Sequence, residues 1–541
     1  MTEAPEDAGP PMQPGGTAHH EPQRRGRLAR LPAVRRAGRR RTSAPVEPPG
    51  ADRFRATLDR VALAPPWGWR SAGAGRIAHV AVAPEYQATT VQACGLFPFV
   101  AGSGSPSVGV PFGRHMMWGE VVCLDPFAWL EAGLVTNRGL TLLGQPGTGK
   151  SSALKRLARG LLAFGVTPLF LGDLKPDYTA VVASAGGQVI RVGRGLDRIN
   201  PLDSGPLGTA LSRMSGQARE RLRAEVRGRR LSATLALCSL VRRNAGMSNG
   251  EETVLGAAVD LLTDRLQPGQ DPTIPDVLAL IREAPDRLLA AAEVDTLEEY
   301  RAETKALRQT LGLLCEGSLK GVFDGPTSRP IDLDAPAVSV DISQVAASGD
   351  TLVAAAMLST WSYGFAMIDA SSALADSGLA PRRRYFAVMD ELWRALRGAP
   401  GLVDHADALT RVYRGKDVAH AMATHSLDDL SALPTEEDRA KARGFVERNA
   451  ITILAGLPPR ELDEVTRIVP LSTQEKRMVA SWSAPESWQP GARHPGRGKY
   501  LVKTGQRVGI PVELEYVADE ASLYDTDAGP GRPAAAAEDL R

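Results

Sequence analysis

Two short stretches of this 541-residue chain have residue types and spacing that could do chemistry. The first, Gly144-Gln145-Pro146-Gly147-Thr148-Gly149-Lys150-Ser151, fits G-x-x-x-x-G-K-[ST] at every position. Glycines let a backbone wrap around phosphate oxygens and aim N–H groups at them, and a following helix adds the positive end of its dipole. Lys150 is then placed for the β- and γ-phosphates and Ser151 for Mg²⁺, with Ser152 next in the same turn. The ligands expected are therefore ATP and Mg²⁺. The second stretch, Arg384-Tyr-Phe-Ala-Val-Met-Asp390-Glu391, is a run of apolar and aromatic residues ending in two acids. Asp390 suits the metal sphere, and Glu391 is positioned to polarise a water. Paired acids at a strand end also occur as solvated caps; the phosphate loop elsewhere in the chain favours the catalytic reading.

Such residues need a rigid frame, and the hydrophobic pattern supplies one. Gly139–Leu143 reads as an apolar strand immediately before the loop, and Ser151–Phe164 has helical spacing immediately after it. Further strands are expected at Thr167–Leu171, Gln188–Val192, Ala337–Val340, Tyr385–Met389, Val418–Ala423 and Ala450–Leu454. Strands alternating with helices imply an α/β fold with a mostly parallel sheet flanked by helices. The segments divide as an arginine-rich disordered arm (1–50), a small N-terminal region (51–130), an α/β core (131–207 and 316–518), an all-helical insertion (208–315) and a disordered tail (519–541).

Composition narrows the partners. With 43% hydrophobic residues the chain can bury a large core, and 64 Lys plus Arg against 62 Asp plus Glu leave a formal charge of +2. Contact with nucleic acid or membrane must therefore be local, and the arginine cluster between Arg24 and Arg41 is where it is expected: a solvated tail on one reading, an anchor to anionic lipid or DNA on the other. Cys94, Cys123, Cys238 and Cys315 form no CxxC pair, which argues against a zinc or disulfide framework and for a reduced, cytoplasmic setting. No signal-peptide pattern opens the chain. Thr351–Ile368 is long and uncharged, but Ser, Thr and Gly dilute it, so a buried helix is expected there.

One superficial likeness fails on spacing. Met214-Ser-Gly-Gln217, with Asp390-Glu391 and Thr424-His425-Ser426, has the look of an ABC transporter nucleotide domain, yet roughly 170 residues separate the first fragment from the acids. A fuller likeness runs from about Cys94 to Tyr524. Phe97-Pro98-Phe99 comes before the loop; Asp173-Leu-Lys-Pro-Asp-Tyr178, Gly186-Gly187 and Arg198-Ile-Asn200-Pro201-Leu202-Asp203 follow it. Then come Gly321-Val-Phe-Asp324-Gly325, Val340-Asp341-Ile342-Ser343, the acidic strand, Ala423-Thr424-His425-Ser426 and Leu471-Ser472-Thr-Gln-Glu475. In this order the fragments resemble the motor half of VirB4/TraC-type conjugation and type IV secretion ATPases, within the FtsK/HerA superfamily of P-loop motors.

The resemblance implies a RecA-like P-loop fold and a homo-hexamer at the inner face of the plasma membrane, with secretion or conjugation membrane components as partners. It implies a nucleotide at each subunit boundary, completed by a neighbour's arginine; Arg414 matches best by position and Arg411 second. His425 stands where the family usually has a glutamine that senses the γ-phosphate. Two other activities share this core: a DNA-translocating coupling protein or FtsK/HerA-like pump, and a nucleotide-gated scaffold with negligible turnover. The family's large N-terminal domain has only a short counterpart here, around Pro66-Trp67-Gly68-Trp69.

Overall fold

A strand covered on both faces by other layers must be apolar throughout, and Gly139–Leu143 (GLTLL) is buried at every position. The architecture around it is taken from a computed structural model that describes residues 104–524, apart from 243–245, 268, 318, 392–393, 395–415, 428–432, 434 and 484–493. The chain enters as an antiparallel pair, β1 (Pro111–His115) and β2 (Val121–Cys123), followed by α1 (Pro126–Glu131). Asp125 caps that helix by accepting the N–H groups of Phe127 and Ala128. Then come β3 (Gly139–Leu143), α2 (Lys150–Ala163), β4 (Val166–Asp173), α3 (Thr179–Ser184) and β5 (Gln188–Arg191).

Between β5 and the next strand the chain is helical: α4 (Gly205–Arg213), α5 (Gly216–Val241), α6 (Asn249–Arg265), α7 (Ile274–Glu283), α8 (Asp286–Ala291), α9 (Leu297–Glu303) and α10 (Lys305–Glu316). The Ser/Thr-x-x-Glu/Asp patterns at 248–251, 273–276 and 296–299 start three of them as capping boxes. The sheet resumes with β6 (Val338–Asp341), then α11 (Asp350–Asp376), β7 (Arg384–Asp390), β8 (Val418–Thr424) and α12 (Glu436–Arg448). It finishes with β9 (Ile451–Leu454), α13 (Pro459–Ile468), α14 (Thr473–Ser481), β10 (Lys499–Lys503), β11 (Ile510–Glu513) and α15 (Ala518–Tyr524).

Among the described residues eleven strands join one sheet in the order β2-β1-β11-β10-β9-β3-β8-β7-β4-β6-β5. From β9 to β5 the neighbours run parallel, and from β9 outward to β2 they alternate. Helices cover both faces: one buried cluster joins the sheet to α1 and α2, the other to α11, the helical segment and α12–α14. The long apolar helix α11 lies in that second layer; 89% of its most apolar window is buried, and Trp361 donates its indole N–H to the Leu171 carbonyl of β4 at 3.0 Å.

The structure differs from the sequence reading at the edges. Pro111–Cys123 contributes two strands to the sheet that carries the phosphate loop, so the sheet reaches into the segment expected as a separate N-terminal region. Likewise α15 runs into the expected tail and buries Tyr524. The arginine-rich arm, the Trp67/Trp69 segment, Phe97-Pro98-Phe99 and residues 525–541 lie outside the described residues.

Candidate nucleotide site

The register of the parallel strands decides what meets at the site. Leu143, the last residue of β3, is level with Thr424 of β8 and Leu454 of β9, while Asp390 of β7 is level with Ala423. The phosphate loop, His425 and Glu391 therefore leave the sheet side by side at its carboxyl edge, where open α/β sheets bind ligands. β8 lies between the loop strand and the acidic strand, so the residue after Thr424 is delivered between them.

The loop turns tightly. Gly149 sits at φ +94°, and a Cβ there would lie 2.8 Å from the Tyr500 hydroxyl; at Gly144 a Cβ would lie 2.6 Å from that of Ala455. Neighbouring strands brace it: Gln145 N–H donates to the Gly456 carbonyl at 3.0 Å, and the Tyr500 hydroxyl donates to the Gly149 carbonyl at 2.6 Å. Thr148 ties the turn internally by donating its hydroxyl to the Gln145 carbonyl at 2.6 Å. Gly149 then opens α2 with no side-chain cap, leaving the first N–H groups of a 14-residue helix directed at the loop.

Lys150 Nζ donates to the carbonyls of Gly144 at 2.7 Å and Gln145 at 3.2 Å, and lies 2.7 Å from His425 Nδ1. The opposite ring nitrogen, His425 Nε2, is 2.7 Å from Glu391 Oε1. An ammonium only donates, so Nδ1 is the acceptor and the network assigns the ring proton to Nε2, which donates to Glu391. Lys175 Nζ stands 3.8 Å from the same Glu391 oxygen. Glu391 itself holds φ +53°, a conformation non-glycine residues seldom adopt and one that tends to mark functional sites.

Asp390 Oδ2 accepts the Tyr178 hydroxyl at 2.6 Å, and its Oδ1 accepts the N–H of Glu391 at 3.0 Å. Loss of solvation pushes the Asp390 carboxyl above its ordinary range and the charge of Glu391 adds to this, while Tyr178 and Lys150 pull the other way. Asp173, buried at the end of β4, accepts the N–H groups of Asp177 at 3.3 Å and Tyr178 at 2.9 Å. Burial outweighs those bonds and, with Asp177 and Asp341 nearby, pushes Asp173 up to about 8.

These groups surround one cavity of about 560 Å³. Pro146, Gly147, Gly149, Lys150, Ser151, Ser152, Asp390, Glu391 and His425 line it, while Gly144, Gln145 and Thr148 shape the loop behind. Arg414 and Arg411 lie outside the described residues. Asp173, Lys175, Asp177, Arg497 and Tyr524 also face the cavity, though the sequence reading gave none of them a role. Asp173, Lys175, Asp177 and Tyr178 were visible only within one motif fragment, and Tyr524 only as a residue of the expected tail at the end of the likeness.

The donor set fits Mg²⁺. Ser151 and Asp390 offer hard oxygens to the cavity, and among the described residues no group of three or more His, Cys, Asp or Glu side chains could hold a metal alone. A cation held by one carboxylate, a hydroxyl and phosphate oxygens is the usual Mg²⁺ arrangement, whereas an all-protein cage is not.

A phosphate loop leaving a central parallel strand, with an acidic strand one position removed, defines a P-loop nucleotide-binding fold of the α/β class. Among solved structures the chain is similar to VirB4 of Thermoanaerobacter pseudethanolicus, at 20% identity over 78% of this chain and 99% of that one, with a TM-score of 0.57. The likeness to VirB4 carried by the ordered motifs thus extends to the path of the chain. Also similar are the plasmid coupling protein TrwB in complex with ADP and Mg²⁺ (13% identity, 70% and 85% coverage, TM-score 0.43) and the cytoplasmic domain of the Thermomonospora curvata type VII secretion ATPase EccC (12%, 75% and 28%, 0.29). Neither a protein-family model nor a curated protein sequence matches the chain.

Proposed function

We propose that this chain is a Mg²⁺-dependent ATPase that powers conjugative DNA transfer or type IV-like secretion, working as a hexamer at the cytoplasmic face of the membrane. The observation that carries the hydrolytic part is the chain of contacts Lys150–His425–Glu391, which ties the phosphate loop to the acid beside it. The likeness of fold to VirB4 supports the transport part.

In this reading the loop amides and Lys150 cradle the β- and γ-phosphates, and Lys150 exchanges one of its present acceptors for a phosphate oxygen. Ser151 and Asp390 would hold Mg²⁺, which neutralises charge on the phosphate oxygens when bound. Glu391 orients the attacking water and takes its proton. His425, touching both Lys150 and Glu391, reports the arrival of the γ-phosphate at one and adjusts the other. An arginine from the adjacent subunit, assigned to Arg414, stabilises the charge spreading over the transferred phosphoryl group, an effect worth about 10³–10⁵ in rate where such arginines act.

The test compares wild type with Lys150→Ala and Glu391→Gln, with and without DNA, following phosphate release and nucleotide binding together. Both variants are expected to lose turnover by at least about a hundredfold. Glu391→Gln should still retain ATP, because its defect falls after binding, whereas Lys150→Ala should not. If Glu391→Gln releases ATP as readily as Lys150→Ala, the assigned roles are wrong.

A further inference from the structure

The metal half of the site contains a residue that no motif assigns. Tyr178 is 1% exposed, its ring stacked on Phe170 at 4.3 Å between centroids and 14° between planes. Its backbone N–H is bound to Asp173 at 2.9 Å just ahead of α3. Ring and backbone are thus fixed independently, and the one polar side-chain atom, the hydroxyl, donates to Asp390 Oδ2 at 2.6 Å. The other oxygen of Asp390 is bound by the N–H of Glu391. One anchor comes from the strand that bears the acid and the other from the neighbouring strand's loop, so together they set the plane of the carboxylate.

Resting on the ATPase reading, we propose that Tyr178 is a positioning residue for metal binding: its hydroxyl holds the Asp390 carboxylate in the orientation that Mg²⁺ requires. Partners that orient a metal ligand typically contribute about ten- to a hundredfold to metal affinity. The bland alternative is a buried polar pair that only satisfies itself, which would affect folding but not the metal. Tyr178→Phe separates the two, since it keeps the stacked ring and removes only the donor.

The experiment uses the full chain with a fluorescent ADP, titrated once in EDTA and once against Mg²⁺, with Mn²⁺ occupancy followed by electron paramagnetic resonance. Tyr178→Phe should bind ADP in EDTA within about twofold of wild type, while the Mg²⁺ midpoint and the Mn²⁺ dissociation constant rise roughly tenfold. An unchanged metal midpoint overturns the proposal. So does an equal loss of ADP affinity in EDTA and in Mg²⁺, which would mark Tyr178 as a packing residue. If wild-type ADP binding is itself indifferent to Mg²⁺, the nucleotide-metal reading fails and the proposal with it, an outcome that the wild-type arm alone reveals.

Discussion

Asp173 is 4% exposed and carries an opposed set of influences: two backbone donors that favour its charge, and burial beside Asp177 and Asp341 that disfavours it. The second set prevails, raising the group to about 8, whereas an unfolded aspartate titrates near 3.9. Between those values the folded chain holds a proton that the unfolded chain has released. Stability contributed by this site is therefore present at low pH and declines as pH rises, until the folded group ionises as well. Asp173→Asn cannot ionise, so its melting temperature should gain on wild type steadily from about pH 5 to pH 8 and run parallel above that. Thermal melts across this range decide the matter; parallel curves throughout would mean that Asp173 is ionised in the folded chain. Sequence inspection could not reach this result. Asp173 was legible as the start of a motif fragment just past the expected strand Thr167–Leu171, but the level pairing of Asp173 with Asp341 is a consequence of β4 and β6 being neighbours, and neighbour relations are not written in either segment.

At the scale of elements, legibility followed apolar composition rather than burial, since β10 and β11 are buried at most positions as well. Strands β3, β4, β6, β7, β8 and β9 are covered on both faces, so their runs are almost wholly apolar and announce themselves. The strands β1, β2, β10 and β11 did not: they are three to five residues long, one carries Pro511 and another begins and ends with lysine. Yet this less legible flank braces the loop. Tyr500 of β10 donates to the Gly149 carbonyl, and its hydroxyl occupies the space a Cβ at Gly149 would need. Gly149→Ala therefore meets both a left-handed backbone, costing about 1–3 kcal/mol, and a clash with an anchored hydroxyl. Nucleotide affinity should fall at least about tenfold, since a tenfold change needs only about 1.4 kcal/mol. Adding Tyr500→Phe relieves the clash and not the strain, so the double variant should recover part of the loss. Calorimetric titration of ATP against the four proteins of that cycle checks it; equal losses in the single and double variants would show that the hydroxyl is irrelevant to the loop.

For the whole molecule the question is whether one chain makes one complete site. In the proposed ATPase the cavity supplies a phosphate cradle, a metal-binding pair and a base, with Lys175 and Arg497 also facing it, and a further cation from a neighbour meets charge on the transferred phosphoryl group. Arg414 is assigned that part in a neighbour. It lies outside the described residues, but the chain re-enters at Lys416, whose ammonium pairs with Asp369 of α11, and Asp369 also pairs with Arg229 of α5. Asp369 is 3% exposed, so Lys416 is anchored to a buried carboxylate of the core. Mixing then gives a test that neither variant alone can provide. Lys150→Ala keeps the arginine and lacks a working cradle; Arg414→Ala keeps the cradle and lacks the arginine. Each alone should be nearly inactive. Dissociated, mixed and reassembled, they should form boundaries in which an intact cradle faces an intact arginine, and phosphate release should rise well above the sum of the separate proteins. If Arg414 serves its own subunit, no mixture can assemble a complete site and the rate stays at the average of the two parents. The same mixture built with Arg411→Ala reports on the second arginine, and mass measurement of the reassembled species shows whether the recovered activity travels with a hexamer.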